Sequence, residues 1–172
     1  MSGLILRELT ENDEKSFFSG LNEWEEKDLS WYTFDWRPGM TFPELLARLR
    51  NNSSGVDLPA GFVSSSMLYA FVGNEIVGRV HIRHELNDYL RAFGGHYGCA
   101  VAPKFRRRGY AAEMFAQSIP IFRRLGILDI LITCEDNNEP SWKLTERYEG
   151  VLENKLRSPE GKIFRRYWVK LR

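Results

Sequence analysis

Seven segments of the chain carry the alternating or continuous apolar patterns that indicate β-strands. The predicted strands are residues 4–9, 66–72, 76–84, 96–101, 128–133, 151–156 and 163–171. Residues 73–75, Gly-Asn-Glu, are short enough to join the second and third strands as a hairpin. The continuous apolar run of the fifth strand is typical of a strand near the centre of a sheet.

Two helices are predicted between the first and second strands, and each begins at a capping box. In this motif a threonine and an acidic residue three positions later cap each other. Thr10 with Asp13 begins the first helix, which its apolar stripe extends toward residue 26. Thr41 with Glu44 begins the second helix, which ends in a polar loop before the next strand.

Two further helices separate the later strands. Residues 109–125 form an amphipathic helix that Gly126 ends, and Pro120 is expected to kink or shorten it because proline lacks an N–H. Residues 140–149 form a short helix, whereas residues 86–95 are predicted to be irregular. The order of elements is therefore βααβββαβαββ, an α/β (α+β) arrangement.

Composition and charge limit the class of protein. A chain of 172 residues with 43% hydrophobic residues suits one domain, residues 1–172, with a sizeable core. The net charge of +1 gives no overall reason to expect nucleic acid or membrane as a partner. Neither a membrane span nor a signal peptide is recognisable, so a cytoplasmic location is expected. Two cysteines cannot form a disulfide framework, and no metal site is expected.

The most informative segment is residues 101–111, which read Val-Ala-Pro-Lys-Phe-Arg-Arg-Arg-Gly-Tyr-Ala. A strand ends, a proline-containing turn follows, and three arginines precede a helix that begins at glycine. Backbone N–H groups at a helix N-terminus bind phosphate esters, and arginines there oppose the helix dipole unless an anion is present. A solvated helix end or a basic patch that contacts nucleic acid is the alternative. The pattern favours a pyrophosphate-binding loop.

The spacing Arg106-x-x-Gly109-x-Ala111, after Val101-x-Pro, resembles the acetyl-CoA pyrophosphate loop of the GCN5-related N-acetyltransferases (the GNAT family). The order of elements is also the order expected of the GNAT fold. The resemblance implies a mixed, mostly antiparallel sheet of six or seven strands with helices on both faces. It implies acetyl-CoA as the acyl donor, bound where two parallel strands splay apart.

The same resemblance implies the residues that bind acetyl-CoA. The strand edge at Cys99, Ala100 and Val101 would pair with the pantetheine arm. The pyrophosphate would be held by the loop residues Arg106, Arg107, Arg108, Gly109, Tyr110 and Ala111. Asn138-x-x-Ser141 resembles the asparagine motif of the family, although its composition alone also fits a loop followed by a helix N-cap.

The sequence departs from the family where a general acid is expected. Many members carry a tyrosine seven residues after the asparagine, but this chain has Thr145 there and Tyr148 three residues later. Tyr148 is therefore the predicted acid, and Tyr110, water or unassisted departure of the thiolate remain open. A thiol with a pKa near about 8.5 is a fair leaving group.

A general base is needed because only an unprotonated amine attacks the thioester. His81, His84 and His96 are the histidines of the chain. His96 is the predicted base because it begins the strand that leads to the arginine loop, and its ordinary pKa of about 6.5 suits the role. Strand alternation points it away from the face of Cys99 unless a bulge intervenes, and a structural role is the alternative.

An aromatic segment at residues 31–36 follows the first helix, and the resemblance implies that this region helps to form the acceptor site. Trp31 and Trp36 are the predicted substrate contacts, because rings and carboxylates together bind cationic amines. The nearby carboxylates are Glu23, Glu25, Glu26, Asp28 and Asp35. Packing in the core and membrane contact are the alternatives, and packing is the commoner fate of tryptophan.

The resemblance implies an acetyl-CoA-dependent N-acetyltransferase that acetylates a primary amine of a small molecule or peptide by direct attack. A non-catalytic acyl-CoA-binding module is the alternative, because Thr145 and the unsettled base leave it open. Nucleic acid as a partner is disfavoured by the net charge. The C-terminal hairpin offers an edge through which a second copy could form a homodimer.

Overall fold

The structure is a computed structural model that describes residues 3–24, 29–32 and 35–171. Its strands form one seven-stranded sheet in the order β1-β2-β3-β4-β5-β7-β6, in which only β4 and β5 are parallel. The strands are β1 Leu4–Arg7, β2 Ser65–Val72, β3 Glu75–Arg83, β4 Tyr97–Val101, β5 Asp129–Glu135, β6 Val151–Arg157 and β7 Ile163–Lys170. The predicted mixed, mostly antiparallel sheet is confirmed.

Five α-helices lie among the described residues. They are α1 Glu14–Leu21, α2 Leu29–Tyr32, α3 Phe42–Ser54, α4 Tyr110–Arg124 and α5 Glu139–Arg147. The predicted order of elements holds, with the addition of the four-residue α2, which overlaps the start of the aromatic segment. None of these helices is long and apolar enough to cross a bilayer. Residues 86–95, predicted to be irregular, include the π-helix Leu90–Gly94.

The first capping residues begin a 3₁₀ turn, Glu11–Asp13, before α1 continues the chain. The Asp13 carboxylate accepts from the Thr10 N–H and hydroxyl, both at 2.7 Å, and from both terminal nitrogens of Arg7. The hydrogen bond from Arg7 contributes most to lowering the pKa of Asp13 to about 2. This carboxylate therefore ties the turn to β1. The predicted helix end near residue 26 lies outside the described residues.

The helix α4 covers the first edge of the sheet and is not shortened at Pro120. The carbonyl of Ala116, which lacks its helical partner because proline has no N–H, is on the exposed side and can bind water. The Gln117 side chain accepts from the Leu6 N–H and donates to the Leu4 carbonyl, both at 2.9 Å. One amide group thus satisfies backbone groups that an edge strand would leave unpaired.

Helices cover both faces of the sheet, as predicted. On one face Tyr69 of β2 packs edge-on against Phe17 of α1 at a ring distance of 5.9 Å. On the other face Tyr97 of β4 packs against Phe115 of α4 at 5.0 Å. The C-terminal hairpin places β7 inside the sheet, so the edge that it offers is β6.

The strands β4 and β5 meet at one residue pair and then separate. Tyr97 pairs with Ile132, and the His96 N–H donates to the Leu131 carbonyl at 2.7 Å. Gly95 lets the chains approach closely, because a side-chain carbon there would lie 2.6 Å from that carbonyl oxygen. Beyond Tyr97 the edge of β4 that faces β5 pairs with no strand among the described residues, whereas its other edge pairs with β3 through Val101.

Candidate active site

A cleft of about 1480 Å³ opens between the diverging ends of β4 and β5. Its volume exceeds the roughly 300–1,000 Å³ of a site for one drug-sized ligand, so it has room for two substrates. Most of the residues predicted to bind substrates line this cleft. They are Trp31, Cys99, Ala100, Val101, Arg106, Arg107, Gly109, Tyr110, Ala111, Asn138, Ser141 and the predicted acid Tyr148.

The loop before α4 presents backbone N–H groups without acceptors. Those of residues 107–111 make no hydrogen bond with any described residue. The backbone is left-handed at Arg107, with φ of 64°, and at Gly109, with φ of 85°. A side-chain carbon at Gly109 would have no protein atom within 4 Å. Gly109 is therefore required by its φ angle, and the space beside it is open to a ligand.

The three loop arginines have different positions. Arg106 donates from Nε to the Val101 carbonyl at 3.1 Å, so its stem folds back onto the end of β4. Arg107 lines the cleft. The Arg108 side chain does not line the cleft, because its guanidinium lies 5.6 Å from the centre of the Phe105 ring. Its backbone N–H, through which the loop is expected to hold a pyrophosphate, makes no hydrogen bond with a described residue. Only the first two arginines face the space in which an anion would lie.

The asparagine motif acts as a helix cap beside the cleft. The Asn138 side chain accepts from the Ser141 N–H at 3.4 Å and begins α5. Cys134 of β5 lies within hydrogen-bond reach of Ser141. Burial is the main reason that the pKa of Cys134 is raised. Burial also raises the pKa of Cys99. Both thiols therefore stay protonated near neutral pH, so neither is an activated nucleophile.

Tyr148 lies at the C-terminal end of α5 and contacts the start of α4. Its hydroxyl donates to the Ala112 carbonyl at 2.8 Å, and its ring packs against Phe115 at 4.6 Å. Thr145, which stands at the position of the family tyrosine, is buried and donates to the Ser141 carbonyl at 3.0 Å. Tyr148, almost one helical turn after Thr145, is therefore the tyrosine that α5 brings to the wall of the cleft.

His96 has the environment of a structural histidine. It is buried and does not line the cleft. The Leu131 N–H donates to its Nδ1 at 3.0 Å, so the ring replaces a strand hydrogen bond between β4 and β5. Burial, with smaller effects of Arg91 and Arg83, lowers the pKa of His96 to about 4. This geometry does not support the predicted role of His96 as the general base.

His81 of β3 is the histidine that lines the cleft. It pairs with Gly98 across the β3–β4 ladder, at the position after β4 leaves β5. Burial, followed by the charges of Arg83 and Arg79, lowers the pKa of His81 well below 6.5, so the ring is neutral at physiological pH. The alternating pattern of residues 76–84 already places these three residues on one face, although it does not show that the face meets the cleft.

The aromatic segment divides between the cleft and the core. Trp31 lines the cleft and is 52% exposed. Trp36 does not, contrary to the prediction: its Nε1 donates to the Met40 carbonyl at 3.1 Å, and its ring packs edge-on against Phe18. Its large ring is used for packing, as is common for tryptophan.

The two nearby carboxylates that the structure describes, Asp35 and Glu23, already have cationic or amide partners. Asp35 lines the cleft and accepts from Arg48 at 3.3 Å and from Asn52 at 2.9 Å. Glu23 accepts from Lys104 at 2.6 Å. Glu25, Glu26 and Asp28 lie outside the described residues. The predicted cluster of carboxylates for a cationic amine is therefore reduced to Asp35 at this cleft.

The charge of the cleft differs from that of the whole chain, which is +1. The acidic side chains that line it are Asp35 and Glu135, and the basic ones are Arg48, Arg83, Arg106, Arg107, Lys143 and Arg147. This lining favours anionic ligands. Among the described residues no group of three or more His, Cys, Asp or Glu side chains could hold a metal ion.

Comparison with known proteins identifies the family. A profile of the acetyltransferase (GNAT) family matches residues 8–150. No curated protein sequence matches the chain. Among solved structures, a GNAT-family acetyltransferase from Streptococcus pneumoniae superposes with a TM-score of 0.66 at 17% identity, covering 98% of this chain and 99% of that one.

Two similar structures are ribosomal-protein acetyltransferases. The L7/L12 alpha-N-protein acetyltransferase RimL, in complex with coenzyme A disulfide-linked to a cysteine, has a TM-score of 0.67, 17% identity and coverage of 99% and 96%. An acetyltransferase from Salmonella typhimurium, which modifies the N-terminal serine of L7/L12, has a TM-score of 0.65, 16% identity and coverage of 100% and 97%. These similarities extend over the whole fold. They show that this chain has the same fold, and the profile match shows that it belongs to the GNAT acetyltransferase family.

Proposed function

We propose that this protein transfers the acetyl group of acetyl-CoA to a primary amine of a small molecule or peptide, and that residues 1–172 act as one acyltransferase domain. The observation that carries the proposal is the unpaired edge of β4, which ends at a loop with five unbonded N–H groups. The strand edge supports binding of a linear amide chain such as pantetheine, by addition of a strand. The loop N–H groups support binding of a pyrophosphate.

The amine attacks the thioester directly in this proposal. Cys99 and Cys134 are protonated thiols, so a covalent intermediate on either is not supported. Backbone N–H groups at the open edge of β4 are positioned to polarise the carbonyl, and catalysis then comes mainly from positioning the two substrates.

His81 and Tyr148 are the proposed proton-transfer residues. His81 lines the cleft and is neutral at neutral pH, so its ring can take a proton from the attacking amine, but burial and the charges of Arg83 and Arg79 disfavour the protonated ring and make it a weak base. Tyr148 has a hydroxyl proton for the departing thiolate, but it must release the Ala112 carbonyl to donate that proton. The acid contributes less than the base, because the thiol is a fair leaving group.

Peptide N-termini are a natural first class of acceptor to test, because two structurally similar enzymes modify the N-terminus of a ribosomal protein. The test measures release of free thiol from acetyl-CoA with a panel of peptides, amino acids, polyamines and aminoglycosides. We expect release with at least one amine, and mass spectrometry should show one acetyl group on it. Binding of acetyl-CoA without release on any amine would support the non-catalytic binding module instead.

A further inference from the structure

Two arginines of β3 share one face of the strand, and Arg79 is buried whereas Arg83 is half-buried. Arg79 is 2% exposed, its Nε has no acceptor, and it donates to the Met67 sulfur at 3.4 Å. Arg83 donates from one terminal nitrogen to the carbonyls of Gly94 and Gly95, at 2.9 and 3.4 Å. Neither guanidinium forms an ion pair with a described residue. The charge of Asp35 acts on Arg79, but that carboxylate is already paired with Arg48. Arg79 and Arg83 therefore repel each other in a poorly solvated place, and a ligand anion would relieve this repulsion.

Arg83 is the member of this pair that faces the cleft. Its other two nitrogens, Nε and Nη2, form no hydrogen bond with any described residue. These two nitrogens are the side of the guanidinium that matches the two oxygens of one carboxylate. Burial, with the charge of Arg79, lowers the pKa of Arg83 to about 10, so it remains a cation at neutral pH.

Arg83 lies at the end of β4 remote from the phosphate loop. A side-chain carbon at Gly98 would be 3.5 Å from the Arg83 guanidinium, so this glycine leaves that group uncovered. From Gly98 the strand runs to Val101, a span of about 10 Å at roughly 3.3 Å per residue, before the loop begins. The cations suited to the phosphates of coenzyme A are therefore at the other end of the cleft.

We propose that Arg83, supported by the charge of Arg79 on the same face of β3, binds a carboxylate of the acceptor close to the amine that is acetylated. The acceptor is then an amino acid, or a peptide with an acidic residue at its N-terminus. Both share a carboxylate within a few bonds of the primary amine. Trp31 lies against Arg79 at 5.7 Å and gives this part of the cleft an apolar wall. This inference rests on the proposed acetyltransferase function.

The experiment compares acceptors that differ in one carboxylate, and kcat/KM is expressed per unprotonated amine because this carboxylate also raises the pKa of the amine. Alanine is paired with alaninamide. The dipeptide Asp-Ala is paired with Asn-Ala, and both dipeptides carry a C-terminal amide. For at least one pair we expect kcat/KM to favour the acidic member by about 10- to 100-fold, as for one charged hydrogen-bonded pair. A preference within the first pair would indicate a free amino acid as the acceptor, and a preference within the second pair would indicate a peptide.

Arg83→Gln should abolish this preference, because kcat/KM should fall further for the acidic acceptors than for their amide partners, while the affinity for acetyl-CoA changes by less than about twofold. Arg83→Lys, which keeps the charge, should restore part of it. Arg108→Gln, outside the cleft, should leave it unchanged. An equal loss for acidic and amide acceptors would overturn the inference, because Arg83 would then act on the thioester or on the fold. Equal kcat/KM within both wild-type pairs would also overturn it.

The inference is separable from the proposed reaction by binding measurements. If no amine is acetylated, the same acceptors are titrated calorimetrically into the protein saturated with coenzyme A. The acidic member should still bind more tightly than its amide partner, and Arg83→Gln should remove the difference. Equal binding of both members would contradict the carboxylate site, whereas absence of turnover alone would contradict only the reaction.

Discussion

Two groups of arginines border the cleft, and they differ in almost every physical respect. Those of the loop at residues 106–108 are exposed, adjacent in sequence and close to the N-terminus of α4. Arg79 and Arg83 lie four residues apart on one face of β3, where Arg79 is buried and Arg83 is half-buried. The exposed group can accept a solvated, multiply charged group such as pyrophosphate. The buried group suits one small anion with defined geometry, so the two ends of the cleft are built for different ligands.

The phosphate-binding role of the loop could be predicted from the sequence because all the residues that carry it are adjacent in the chain. Turn, arginines, glycine and helix start follow one another within residues 101–111, so no tertiary information was needed. The site on β3, where His81 lies between Arg79 and Arg83, could not be predicted from the sequence. His81 reaches the cleft only through its pairing with Gly98 and through the separation of β4 from β5. Long-range pairing of this kind leaves no local pattern.

The largest expected effect is a loss of affinity for coenzyme A when the loop at residues 106–109 is altered. Gly109→Glu places a carboxylate against the proposed pyrophosphate, and we expect the affinity for coenzyme A to fall by at least about 100-fold. Gly109→Ala is the control, since it carries the backbone strain of a left-handed residue without the charge. Calorimetry with coenzyme A measures both. Wild-type affinity in the glutamate variant would exclude this loop as the phosphate site.

The next effect concerns the buried end. His81→Gln removes the proposed base, and we expect kcat to fall by about 100-fold with little change in the KM for acetyl-CoA. Because burial lowers the pKa of His81 below 6.5, the wild-type rate should be lost only as pH falls below that value, and the variant should lack this acid limb. His84→Gln is the matched control, since His84 bonds Ser66 at 2.8 Å outside the cleft. A kcat within twofold of wild type would rule out His81.

A smaller effect on the affinity for coenzyme A is expected to distinguish Arg107 from Arg108 within the loop. Arg107→Gln should weaken binding of coenzyme A by about 3- to 10-fold, which corresponds to about 1 kcal/mol for an exposed charge. Arg108→Gln removes the same charge from the neighbouring residue, which packs on Phe105, and should change affinity by less than about twofold. Raised salt should reduce the difference. Equal effects of the two substitutions would mean that only net charge matters.

The smallest effect separates the structural histidine from the one at the cleft. The pKa of His96 is lowered to about 4 in the folded chain, so the unfolded chain binds more protons between about pH 6.5 and 4. Stability should therefore fall as pH falls through this range, by about 1 kcal/mol at pH 5 after allowance for solvent screening. His96→Gln should flatten that decline in urea unfolding. An unchanged slope would show that other groups cause it.

The fold was predictable further than the site. Strand patterns, the Thr41–Glu44 capping box and the glycine after α4 gave the order of elements and most boundaries. His96, Arg108 and Trp36 were misplaced because each has a sequence position compatible with the cleft. A ladder-like hydrogen bond, stacking on Phe105 and packing against Phe18 hold their side chains elsewhere. Such short-range competition for one side chain is decided by tertiary packing.

The central claim is that the separation of β4 from β5 and the loop after β4 form a site for coenzyme A. Calorimetric titration of the wild-type protein with acetyl-CoA tests it most directly, with dephospho-CoA and ATP as comparison ligands. We predict micromolar binding of acetyl-CoA, retained in large part by dephospho-CoA and much weaker for ATP, which lacks the pantetheine arm. Absence of binding, or equal binding of ATP, would contradict the claim.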